Sequence, residues 1–158
     1  NISDIMNLTA DILRAIKIEP ILQISNINIP KLISTELNIS IDILKNGEIS
    51  ELLKLNCDWL DSLLRVKDIK SLENIIEKVP NILKKELETL LEKSREVNYS
   101  NIIIAPMYYG SLKYYNGVYY RVIDKNLVLC RGGMYEADGI SSLGFALYTD
   151  NLLKMLEG

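Results

Sequence analysis

The run SLKYYNGVYYRVIDKNLVLCRGGMYEADG, residues 111–139, holds five of the chain's nine tyrosines and a Gly-Gly pair. The five are Tyr114, Tyr115, Tyr119, Tyr120 and Tyr135. Tyrosine supplies a flat apolar wall and a hydroxyl that donates or accepts a hydrogen bond. Consecutive glycines let backbone N–H groups approach a ligand, or take φ > 0 at a bend. Together they could shape a pocket for a small molecule. Alternating tyrosines are also good strand formers that stack across a hairpin, and a Gly-Gly can simply turn the chain. Both readings stay open at this level. The ligand candidates are Tyr114 and Tyr115, with Gly117, Arg131, Gly132, Gly133 and Tyr135 behind them. Glu136 and Asp138 are isolated acids near a turn and read as solvated rather than as metal ligands or bases.

Much other chemistry is excluded. The chain of 158 residues contains no histidine, so histidine-based catalysis, His-ligated zinc and a serine–histidine triad are ruled out. Cys57 and Cys130 lie far apart, without metal-ligand or redox spacing, and read as structural thiols of a reduced cytoplasmic protein. No catalytic residue, metal site or cofactor is assigned. The net charge of -3, with Lys and Glu interspersed, argues against a nucleic-acid binder, which would carry a basic face. No apolar run approaches the ~18 residues of a membrane span, and no secretion leader is recognisable at the N-terminus.

The elements that must position the tyrosine run change character near Asn98, after which every tyrosine and the single phenylalanine fall. Residues 3–18 place Ile5, Leu8, Ile12, Ala15 and Ile16 at helical spacing behind a Ser3 or Asp4 cap. Pro20 closes that helix, and ILQISNINI alternates as a strand does. PKLISTEL then opens a short helix with proline in a favoured first-turn position. From Ser40 to Val97 the periodicity is helical almost throughout. Residues 48–66 read as one helix carrying Trp59 as a core anchor, and two further helices part at Pro80. After Asn98 the period becomes two. KYYNGVYYRVI predicts a strand with Tyr115, Gly117, Tyr119, Arg121 and Ile123 on one face. Asp124-Lys125-Asn126 turns the chain into an antiparallel partner, and a further strand leads into a terminal helix. The predicted class is α+β with an antiparallel sheet.

LKYYNGVYYRV, CRGGMYEADG and LGFALYTDNLLKML resemble, in order and spacing, the last third of the histidyl-tRNA synthetase catalytic domain. ADILRAIKIEPILQISNINIPKLI is similar to the helix, strand and helix after that family's second class II motif. The resemblance implies a partial class II synthetase-like sheet with a helical insertion: residues 1–38 and 99–158 from the core, 39–98 from the insertion. It also implies that the first two class II motifs lie upstream, so the chain looks like the C-terminal half of a longer domain. A sheet parted from its upstream strands would leave an open edge, so self-association, hetero-association or a longer native chain is expected.

Departures from the family pattern direct the functional expectation. Gly110 stands where the family has the arginine that touches the activated phosphate and the amino-acid carboxylate. Lys113 replaces the motif's aspartate, Met134 the arginine of G-G-R-Y-D, and Asn151 the adenine-stacking arginine. A neutral residue cannot replace a forked guanidinium in stabilising developing charge. Tyr119 and Tyr120 occupy positions the family fills with apolar residues and read as packing. Arg121 stands where the family often has an acid and reads as a solvated strand charge. A fold that keeps the tyrosines but loses these arginines resembles the regulatory subunits of ATP phosphoribosyltransferase. The resemblance implies a non-catalytic partner of the short-form catalytic subunit, mediating histidine feedback. A divergent or fragmentary histidyl-tRNA synthetase is the alternative.

Overall fold

The computed structural model describes residues 1–110 and 115–157. Helix α1 (Ile2–Ala15) buries Met6, Ala10 and Leu13 on one stripe and is capped by Asn1, whose side chain accepts from the Ser3 amide. Strand β1 (Ile21–Asn26) follows, then α2 (Asn28–Leu37), with Pro30 in its first turn and a left-handed Asn38 (φ 51°) ending it. The next segment comprises α3 (Ile41–Lys45), α4 (Ile49–Leu53), α5 (Asp58–Leu64), α6 (Ile69–Ile76) and α7 (Asn81–Arg95). The single helix expected over 48–66 is thus two short ones. Asn56, at φ 49°, is left-handed, and an L-residue in that conformation cannot continue a right-handed helix. Pro80 sits at the N-cap of α7, where the sequence predicts a break. Trp59 packs half-buried against the core.

Strands β2 (Ile102–Ile104), β3 (Tyr115–Asp124), β4 (Leu127–Ala137) and β5 (Ile140–Leu147) precede α8 (Thr149–Glu157). The sheet order is β2-β1-β3-β4-β5. The expectation of a wholly antiparallel sheet needs correcting, because β1 and β2 pair in parallel. Parallel pairing requires a long crossover, and the α2–α7 segment supplies it. The β3–β4 turn uses a left-handed Lys125 (φ 53°). The β4–β5 turn is Asp138-Gly139 with φ of 52° and 77°, the positive pair that a two-residue type I′ hairpin demands. The edges are β2, too short to offer much of a template, and β5.

The two faces of the sheet meet different surroundings. Leu22, Ile24, Val118, Tyr120, Val122 and Cys130 join one apolar core with Met6 and Leu13 of α1 and Leu83, Leu87 and Leu90 of α7. Asn26 is fully buried on that side. Its amide donates to the Glu86 carbonyl (3.1 Å) and carboxylate (2.9 Å), and its Oδ1 accepts from the Asn28 amide. These bonds tie β1 to α7 and satisfy a side chain that would otherwise be costly to bury. The opposite face carries Gln23, Ser25, Tyr119, Arg121, Arg131 and Gly133.

Candidate functional site

Two register rows cross the polar face of the sheet. One runs Gln23, Arg121, Arg131, Ala146, and the other runs Ser25, Tyr119, Gly133, Gly144. Directly opposed residues of an antiparallel pair share a face, so each row is a line of neighbouring side chains. Of the candidates from sequence, Tyr115, Arg131, Gly133 and Tyr135 come together here, Tyr115 and Tyr135 being register partners at the end of the β3–β4 hairpin. Gly117 lies where the β3–β4 register shifts between Tyr115 and Tyr119, at φ 74°. Its carbonyl accepts from the Ile27 amide at 3.0 Å. This is a bulge, where glycine meets the positive φ without strain. Tyr114 and Lys113 lie outside the described residues.

The glycine pair has a definite packing role. Neither Gly132 nor Gly133 has a positive φ. A Cβ on Gly132 would lie 2.4 Å from the Tyr120 ring, and one on Gly133 would lie 2.7 Å from the Tyr115 ring and 2.9 Å from Tyr119 Cβ. Each missing side chain makes room for a tyrosine on the neighbouring strand, Gly132 on the helix-covered face and Gly133 on the polar face. The Tyr120 hydroxyl ends 2.6 Å from Thr9 Oγ1 of α1, which secures the ring. Burial pushes the Tyr120 and Tyr119 hydroxyls far above their ordinary range, so both are neutral at physiological pH and neither can act as a base. Burial likewise raises the Cys130 thiol to about 11, which suits a structural thiol better than a nucleophile.

A short segment covers the polar face. The Tyr119 hydroxyl donates to the Tyr108 carbonyl (2.7 Å) and accepts from the Gly110 amide (3.1 Å). The Tyr115 and Tyr119 rings stack at 5.6 Å. What remains between Tyr108, Gly110, Tyr115, Tyr119, Arg121 and Arg131 is a cavity of about 10 Å³, scarcely room for one water. Beyond Gly133 a wider hollow of about 330 Å³ opens over Gly144 and Ala146, walled by Tyr115 and Tyr135.

Arg121 departs from the solvated strand charge expected of it. It is half-buried, its guanidinium lies 4.1 Å from the centre of the Tyr108 ring, and its Nε donates to Gln23 Oε1. The Arg131 guanidinium lies 5.8 Å from the Tyr148 ring centre, within cation–π range. Two guanidinium groups therefore stand on the same face as Gly110. Asn151, which the motif resemblance sets opposite an adenine-stacking arginine, gives its side-chain amide to the Val128 carbonyl at 2.8 Å, a structural tie to β4. Gln23 and Tyr108 were missed as site residues. The polar Gln23 between Leu22 and Ile24 was a usable signal, whereas nothing in the sequence placed Tyr108. Among the described residues no cluster of acids and cysteines could hold a metal, and no helix is long and apolar enough to cross a membrane.

The fold defines the class. Over its whole length the chain superimposes on half of a protein from Bacillus halodurans described as an ATP phosphoribosyltransferase regulatory subunit/histidyl-tRNA synthetase, at TM-score 0.74 and 18% identity. It also covers 61% of a chain in an ATP phosphoribosyl transferase (HisG:HisZ) complex from Thermotoga maritima, at TM-score 0.57 and 16% identity, using 93% of its own length. This is the histidyl-tRNA synthetase-like fold. No family model matches the sequence. Sequence kinship is closer and more particular. The chain is 34% identical over 151 residues to the ATP phosphoribosyltransferase regulatory subunit of Wolinella succinogenes, covering 96% of this chain and 52% of that protein. It is 31% identical over 156 residues to the Helicobacter hepaticus regulatory subunit, covering 99% of this chain and 55% of that one. The resemblance drawn from the motifs is matched: the chain has the histidyl-tRNA synthetase-like fold and is similar in sequence to ATP phosphoribosyltransferase regulatory subunits. It spans about half the length of the curated relatives it matches.

Proposed function

We propose that the chain is part of a non-catalytic regulatory subunit of ATP phosphoribosyltransferase. In this reading it assembles in the cytoplasm with a short-form catalytic subunit, activates it and relays histidine feedback in histidine biosynthesis. The observation that carries the reading is identity of 34% to a curated regulatory subunit along nearly the whole chain. The chemistry of the sheet supports it. Gly110 offers no charge where adenylate formation calls for a guanidinium, and Asn151 is committed to the Val128 carbonyl. Preorganised charge of that kind is often the largest single contribution to catalysis. The likeness to a chain of a solved transferase complex favours association with a catalytic partner. The ligand surface proposed is the polar face around Tyr115, Arg131, Gly133 and Tyr135, with histidine as its ligand; Gly132 faces the covered side against Tyr120.

The test is reconstitution with the full-length protein. It is expected to co-purify with the short-form catalytic subunit and to raise that enzyme's turnover, with histidine suppressing the gain. Full activity of the catalytic subunit alone, unchanged on addition of this protein, would overturn the reading. One observation favours a second reading, a divergent histidyl-tRNA synthetase: Arg121 and Arg131 return positive charge to the face that lost it. Histidine-dependent pyrophosphate exchange separates the two.

A further inference from the structure

Away from the polar face, a cleft of about 280 Å³ lies between helices α3, α4 and α5 and the segment 107–109. Its apolar lining includes Leu44 of α3 and Leu52 of α4, both buried, together with Leu64 of α5 and Met107. Gly47 follows α3 in the left-handed region (φ 64°), and a Cβ there would meet nothing within 4 Å, so this turn does not close the cleft. Ile49 also lines it, yet is 56% exposed, a large apolar side chain left with water for a neighbour. One cation stands among these groups. Lys45, the last residue of α3, is half-buried, and its ammonium lies 5.3 Å from the centre of the Tyr109 ring, which lines the same cleft. An aromatic face attracts a cation but supplies no counter-charge. Among the described residues Lys45 pairs with no carboxylate. The acids that follow it in sequence are engaged elsewhere: Glu48 accepts from the Asn46 amide at 3.3 Å, and Glu51 pairs with Lys54 at 2.8 Å.

We propose that this cleft binds a small carboxylic acid with an apolar body, its carboxylate against Lys45 and its body against Ile49, Leu52 and Met107. Ligand sites are mostly apolar hollows with a few convergent polar groups, and one of this volume holds a compact molecule rather than a nucleotide. A single lysine is a point charge that balances one negative charge. A carboxylate is thus matched, whereas a phosphate dianion would carry unpaired charge against an apolar wall. The Tyr109 hydroxyl adds a donor that a carboxylate can use. A free amino acid fits less well, because its own ammonium would sit beside the same lysine. The apolar body covers Ile49 and gains from taking it out of water. Of the residues around the cleft only Tyr108 also borders the polar face of the sheet, so this site is separate from the histidine surface. It is equally independent of the transferase reading, which concerns the protein partner and not this cleft.

The experiment is a thermal-shift and calorimetric titration of the full-length protein with sodium 4-methylpentanoate and, separately, sodium 3-phenylpropanoate. Sodium acetate at equal ionic strength carries the charge without the body, and 4-methylpentanamide carries the body without the charge. At least one of the two longer acids is expected to raise the melting temperature saturably, as binding to the native state requires. It should also bind at least about tenfold more tightly than acetate or the amide. Lys45→Gln should fold like the parent, since Lys45 makes no ion pair, and should weaken binding of that acid at least about tenfold. Lys45→Arg, which keeps the charge, should retain binding, and so should Lys154→Gln on exposed α8. Ile49→Ala tests the apolar wall without opening the core, and should weaken the acid and the amide alike. Responses to the longer acids that match the response to acetate, or that never saturate, would overturn the proposal. So would binding that Lys45→Gln leaves intact, or an amide that binds as tightly as its acid. None of these outcomes alters the reconstitution with the catalytic subunit, so the two ideas fail separately.

Discussion

The two faces of the central sheet use the same device one residue apart and put it to different ends. On the helix-covered face, Tyr120 lies across Gly132 and reaches Thr9 of α1. On the polar face, Tyr115 and Tyr119 lie across Gly133, and Tyr119 reaches the backbone of Tyr108 and Gly110. A tyrosine over a glycine is therefore a packing arrangement in both places, and the glycines alone say little about a ligand. What distinguishes the faces is charge. The covered face buries Leu, Ile, Val and a Cys, whereas the polar face lines up Gln23, Arg121 and Arg131. Binding chemistry is thus to be sought in the arginines rather than in the Gly-Gly motif.

Substitutions can break this comparison directly. Gly132→Ala should have the largest effect. It places a Cβ inside the Tyr120 ring, which is fully buried and held by Thr9, so a loss of about 3 kcal/mol in urea unfolding is expected, the upper part of the overpacking range. Gly133→Ala should cost less, about 1–2 kcal/mol, because the Tyr115 ring lies next to the open hollow and has room to move. Equal losses for the two variants would erase the distinction between a sealed and an open face.

Removing single hydroxyls should have smaller effects. Tyr120→Phe, which breaks the contact with Thr9, and Tyr119→Phe, which frees the Tyr108 carbonyl and Gly110 amide, should each cost about 1 kcal/mol. They should differ in what else changes. Only Tyr119→Phe is expected to speed amide hydrogen exchange at Gly110, whose N–H bonds that hydroxyl.

A separate test is one of pH. Burial raises the Cys130 thiol from 9.0 to about 11 in the folded protein. Above pH 9 the unfolded chain releases this proton while the native state keeps it, so stability falls as pH rises. The urea midpoint should decline between pH 9 and 11 as this group contributes, and less steeply in Cys130→Ala. The buried tyrosine hydroxyls add a loss of the same sign from their ordinary value of 10.0 upward. A midpoint that is flat or rising from pH 9 to 11 would mean that the covered face is wetter than its packing indicates.

Much of this arrangement was legible in the residues, for reasons that can be stated. The helical spacing after Ser3, the break at Pro80 and the turn at Lys125-Asn126 rest on local rules, and each predicts its element, although the stripe expected on Ile5, Leu8, Ile12, Ala15 and Ile16 is not the buried one, which runs through Met6, Ala10 and Leu13. The side of β3 that carries Tyr115, Tyr119 and Arg121 follows from simple alternation. What alternation cannot supply is the register of the next strand. Counting back from the Asp124–Leu127 pair without irregularity would set Arg121 opposite Cys130. A bulge between Val122 and Ile123 instead brings Arg131 onto Arg121, Gly132 onto Tyr120 and Gly133 onto Tyr119. One extra residue creates both the tyrosine–glycine pairs and the paired guanidinium groups, and no turn signal marks it. The parallel β1–β2 pair was equally hidden, since it depends on how the intervening helices return the chain.

The central claim is the proposal that this sheet face serves a regulatory subunit and does not activate an amino acid. Histidine-dependent ATP–pyrophosphate exchange, measured on the full-length protein, tests it most directly. The account predicts no exchange above that of a blank without protein. Exchange that is readily measured, and is abolished by Arg121→Gln or Arg131→Gln, would contradict it and make the paired arginines catalytic.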